Sequence, residues 1–141
     1  MATYNKFQQF VEDVGKGVHN LATGTLKVAL TNTAPNATDA TLSQITQISN
    51  GNGYTTGGTQ AASNAYSHTT GTAKLTANDV VFTASGGSIG PFRYAVLYND
   101  TPTSPADPLI GYWDYGSSVT LASGETFTVD FDAGTGILTI A

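Results

Sequence analysis

Phe7, Phe10, Val11, Val14, Val18 and Leu21 follow the i, i+3, i+4, i+7 spacing of one helical face. The spacing predicts a helix from about Tyr4 to Val14, with Thr3 or Asn5 as its cap and Gly15 and Gly17 ending it. Beyond a Gly-Thr turn the period changes to two. Leu26–Leu30 alternates as a half-buried strand, and further strands are predicted at 62–68, 73–75, 79–83, 92–98, 109–115, 119–121, 126–131 and 137–140. In the strand over 92–98 both faces are apolar, as in the middle of a two-layer core. Residues 31–71 break this regularity. They are rich in Thr, Asn, Ser, Ala and Gly, hold one apolar triplet of helical spacing (Leu42, Ile45, Ile48), and contain a loop at Asn50–Gly58. The pattern predicts an all-β protein, one antiparallel β-sandwich domain over residues 1–141, jelly-roll-like, with one short N-terminal helix. Val28, Phe82, Val96, Phe127, Val129 and Phe131 are its expected core.

Composition changes the picture of the surface. Among 141 residues only 11% are charged, and 23 Thr, 10 Ser and 9 Asn take the place of charge. The formal net charge is −5, which argues against a phosphate-binding surface, so nucleic acid is not an expected partner. All five Lys and Arg lie in residues 1–93, whereas residues 94–141 carry six acids and no base. The absence of cysteine excludes disulfides, thiolate zinc sites and Cys nucleophiles. No apolar run approaches the ~20 residues of a membrane span, and the N-terminus lacks the pattern of a secretory signal, so no membrane partner is expected.

Candidate chemistry is sparse. Gly86-Gly87-Ser88-Ile89-Gly90 matches G-x-S-x-G, but Pro91 and a strand follow where a nucleophile elbow needs a helix, and His19 and His68 both precede Ser88. Neither histidine has a metal-ligand spacing. The Gly51–Gly57 run lacks the spacing of a phosphate cradle, and Asp130 and Asp132 resemble the opening of a calcium loop without its later ligands. Asp114, Glu125 and Asp130, beside Tyr112, Trp113 and Tyr115, would suit a glycosidase or a sugar-binding surface, although strand aromatics usually serve cores and interfaces. The expectation is no enzyme, with no catalytic, cofactor-binding or metal-binding residues and no cofactor.

Three stretches carry a resemblance: KFQQFVEDVGKGVHNL with LKVALTNTAP, GGSIGPFRYAVLYND, and PLIGYWDYGSSVTLASGETFTVDFD. Together they resemble small structural proteins of tailed-bacteriophage virions, most of all head decoration, or cement, proteins. The resemblance implies synthesis in the bacterial cytoplasm, a place on the phage head surface, the major capsid protein as partner, and self-association as a homotrimer. It further implies a grip through Met1–Val14 or the Asn50–Gly58 loop. The expected capsid or subunit interface residues are Tyr4, Phe7, Phe10, Tyr54, Tyr66, Tyr112 and Trp113. A tail or head-fibre component and a carbohydrate-binding module are the alternatives.

Overall fold

The computed structural model describes residues 2–141; Met1, the start of the segment expected to grip a shell, lies outside the described residues. The elements in chain order are β1 (Tyr4–Lys6), α1 (Gln8–Gly15), β2 (Leu26–Thr31), a 3-10 turn (Leu42–Gln44), β3 (Thr59–Gln60), β4 (Ala65–Thr69), β5 (Thr72–Thr76), β6 (Val80–Thr83), β7 (Ile89–Asn99), β8 (Leu109–Leu121), β9 (Thr126–Val129) and β10 (Leu138–Ile140). All pairings are antiparallel, in sheets ordered β1-β8-β7-β2-β3, β10-β5-β4 and β6-β9. The protein is all-β and sandwich-like, with one α-helix among the described residues. Its five-, three- and two-stranded sheets differ from the paired four-stranded sheets of a jelly roll.

Strand alternation sends Val28, Leu30, Ala95, Leu97 and Ile110 to the inner face of the large sheet, where they meet Leu75, Phe82, Val129, Phe131 and Leu138 from the smaller sheets and their flanks. The opposite face is also buried. Ala29, Val96, Tyr98 and Leu109 lie there under Phe7, Leu42 and Ile45. Residues 41–45 of the polar segment therefore form a covering layer, not a free loop. Thr41 and Gln44 form a capping box that fixes the 3-10 turn bearing Leu42. Of the expected core, Val28, Phe82, Val96, Val129 and Phe131 are buried. Phe127 is only partly buried, because β9 pairs on one side alone.

The N-terminal helix starts four residues later than its apolar stripe suggests. Tyr4, Asn5 and Lys6 pair with Trp113, Tyr112 and Gly111, so neither Thr3 nor Asn5 is a cap. Phe7 takes the cap position with extended backbone and no side-chain cap bond. The stripe then divides between two faces: Phe7 packs on the outer cluster and Phe10 on the inner one, while Val11 is 56% exposed. The strands expected at 109–115 and 119–121 are one strand with a bulge, since Tyr94 faces Asp114 while Phe92 faces Val119. Residues 115–118 arch out of the pairing and are exposed.

Below α1, Asp13 is buried, and His19 Nδ1 lies 3.2 Å from Asn99 Nδ2 with its ring 5.2 Å from that of Phe10. Burial pushes the imidazole below its ordinary value of 6.5, with the nearby Asp13 charge opposing in part. The folded state thus holds His19 neutral where the unfolded chain would protonate it. Stability from this site is present above pH 6.5 and falls as pH drops below it. Urea midpoints measured on either side of that value should fall less in His19→Asn than in the wild type.

Candidate functional site

The large sheet and β9 do not close against each other along one side. A groove of about 330 Å³ remains, with Phe92, Trp113 and Phe131 inside and Tyr115, Phe127, Asp130 and Asp132 along its rim. β8 places Trp113 and Tyr115 two residues apart, hence on one side of the strand. Ring centroids lie 5.6 Å apart for Tyr4–Trp113, 5.7 Å for Trp113–Phe131, 4.9 Å for Phe92–Phe127 and 5.3 Å for Tyr115–Phe127. The last two pairs meet edge-on, the arrangement that ring quadrupoles favour. Tyr115 remains 57% exposed. Tyr4 also lines a second hollow of about 410 Å³, formed with Lys6, Phe10, Val11 and β10, so the groove and this hollow meet at Tyr4 beside β1.

The polar groups have distinct tasks. The Arg93 guanidinium donates from Nε and Nη2 to the two Asp114 carboxylate oxygens at 2.7 and 3.0 Å, and the Gly116 N–H donates to Asp114 Oδ1 at 2.8 Å. These bonds hold the Asp114 carboxyl below its ordinary range and raise Arg93. Asp132 accepts from the N–H groups of Gly134 (2.7 Å) and Thr135 (3.1 Å), which lowers it in the same way. Glu125 Oε1 accepts from the Ala122 N–H at 2.7 Å. Of the carboxylates weighed for sugar chemistry, Asp114 and Glu125 are thus committed to local structure. Asp130 is exposed and has no hydrogen bond or ion pair among the described residues.

No family model, curated protein or solved structure matches the chain. The groove must be interpreted from its own chemistry. Among the described residues no group of three or more His, Asp or Glu is placed to hold a metal ion. Ser88 sits in an exposed turn before β7, with its carbonyl accepting from Asn52, while His68 belongs to the β4–β5 hairpin and His19 to the segment below α1. Among the described residues no helix is long and apolar enough to cross a membrane.

The seven expected interface residues separate. Tyr4 and Trp113 meet in the groove. Phe7, Phe10 and Tyr54 are at most 4% exposed, so a partner cannot touch them. Tyr54 is drawn inward onto the main cluster, its ring 6.0 Å from that of Phe82, and its hydroxyl accepts from the Leu30 N–H at 3.1 Å and donates to Gln47 Oε1 at 2.7 Å. The Asn50–Gly58 loop is bound down by the same network, through Gln47 Oε1 to the Gly57 N–H and Asn50 Oδ1 to the Thr56 N–H. Tyr112 lies on the opposite face from Trp113, 5.1 Å from the Phe7 ring, so the two cannot stack on one ligand. Tyr66 packs from β4 on the main cluster, away from the groove. Arg93, Phe127 and Phe131 complete the site unforeseen, the two phenylalanines because alternation marks them only as core.

Proposed function

We propose that this protein is a non-catalytic structural subunit of a tailed-phage virion that decorates the head by binding the major capsid protein. The aromatic groove carries the reading: a rigid, strand-built furrow on a weakly charged surface, with an accessible aromatic rim and Asp114 committed to Arg93. Exposed aromatics framed by polar residues are the usual anchors of protein interfaces. The resemblance of three segments to virion proteins supplies the partner. Mass spectrometry of purified particles should find the protein at a stoichiometry comparable to that of the shell subunit. A few copies, located at the tail, would replace this reading with the tail or fibre alternative. Tyr115→Ala should leave the fold intact and cost about 2 kcal/mol of shell affinity, roughly thirtyfold by co-sedimentation with emptied heads.

A carbohydrate-binding module is the second reading, favoured by Trp113 and Tyr115 on one side of β8 within the groove. Retardation of the wild type by a soluble polysaccharide in affinity electrophoresis, lost in Trp113→Ala, would advance it over the first.

A further inference from the structure

The groove and the hollow meet beside an open sheet edge. β1 is the outermost strand of the large sheet, and β10 is outermost in its own. The Phe7 N–H donates to the Ile110 carbonyl at 3.2 Å, in the same register that sets Asn5 opposite Tyr112 and Tyr4 opposite Trp113. Bonded and non-bonded pairs alternate in an antiparallel ladder. The backbone groups of Asn5 and Phe7 therefore face β8, and those of Tyr4 and Lys6 face outward. An extended segment laid along β1 would find their N–H and C=O groups waiting.

Charge indicates which segment fits. Lys16 pairs with Glu12, Lys27 with Asp100 and Arg93 with Asp114, while Lys74 donates to the Gly134 carbonyl. Lys6 alone among the five cations makes no ion pair or hydrogen bond among the described residues. It lines the hollow on one side of Tyr4, and the unpaired carboxylate of Asp130 lines the groove on the other, as does Ala2. Ala2, Tyr4 and Lys6 share one side of the strand.

We propose that two copies of this chain join by antiparallel pairing of their β1 edges, with the twofold axis between the two Tyr4 residues. This rests on reading the groove as an assembly contact: the Tyr115 rim is left to the shell, and the β1 edge beside it takes a second copy. In that register Lys6 of each copy lies opposite Ala2 of the other, which brings each ammonium to the Asp130 end of the facing groove. The register one step away sets Lys6 against Tyr4 and takes each ammonium away from the Asp130 end, and the step beyond sets Lys6 against Lys6, where like charges directly opposite disfavour pairing. A lone lysine on a short edge strand ordinarily blocks pairing; here its attraction to Asp130 favours the register centred on Tyr4. The interface is isologous and closes at two subunits, unlike the trimer implied by the resemblance.

Sedimentation velocity from low to high micromolar concentration should show a monomer–dimer equilibrium. In the dimer, the amides of Tyr4 and Lys6 should gain hydrogen-exchange protection with rising concentration, whereas that of Asn5 is protected throughout. Lys6→Glu should weaken the dimer by about tenfold or more, since the repulsion acts at two symmetric sites. Adding Asp130→Lys should restore it. Unchanged near-ultraviolet circular dichroism in each variant separates lost pairing from lost folding. A monomer at every concentration, a trimer, a dimer with fast Tyr4 and Lys6 amides, or a charge reversal without effect would each overturn the pairing. Shell binding by a strict monomer would defeat this inference alone, and a dimer that ignores shells would defeat only the decoration reading.

Discussion

Replacing Gly58 with alanine is expected to lower the unfolding free energy by about 3–5 kcal/mol, combining left-handed backbone strain with a severe overlap. Gly58 has φ +80, and a Cβ there would lie 1.8 Å from the Val28 carbonyl oxygen in the middle of β2. Neither partner can give way: the carbonyl belongs to the large sheet, and Gly58 leads directly into β3, which pairs with β2. Gly71 provides the comparison, because it has φ +86 with nothing within 4 Å of a built Cβ. Gly71→Ala should therefore show only the backbone cost, about 1–2 kcal/mol. Urea denaturation of the two variants separates overlap from strain. Equal losses would mean that the chain around Gly58 yields.

Phe7→Ala should cost about 3–5 kcal/mol by the same measurement. Phe7 is fully buried and packs among Ala29, Leu42, Val96 and Leu109 at the junction of β1, α1 and the covering layer. Few atoms are free to fill the space, since the opposite side of the cluster is backbone of the sheet. Val11→Ala, in the same apolar stripe but 56% exposed, should change stability by no more than ~0.5 kcal/mol.

These two residues show where the sequence is legible and where it is not. Strands such as β2 and β9 declare themselves by alternation, and the doubly apolar run over 92–98 correctly announces a strand buried on both faces. What covers its second face is foreshadowed by the helical spacing of Leu42 and Ile45, which suits a turn packed on the sandwich, although the form of that turn depends on a side-chain capping box. β1, by contrast, is invisible. Three residues become a strand only because β8 lies beside them, and tertiary pairing overrides a helical stripe that Phe7 and Phe10 share without facing the same way. The groove was half legible: Tyr4 and Trp113 stand out as aromatics, but their meeting depends on register. Arg93 sits one residue from Tyr94, which faces Asp114 across β7 and β8, and only that pairing turns an apparent catalytic acid into one side of an ion pair.

The pairing of β1 with β8 also governs the order in which the molecule can be made. Asn5 and Tyr112, linked by a side-chain bond across that pair, are 107 positions apart in the chain. During synthesis the first strand waits without its neighbour until β8 has left the ribosome, and β2 likewise waits for β7. Sheets closed by such distant segments fold in about milliseconds to seconds, compared with microseconds to milliseconds for helical bundles. The segment from β1 to α1 therefore spends its early life with Phe7 and Phe10 uncovered. A fusion or chaperone that shields those two rings should improve the yield of folded protein more than one placed after β10.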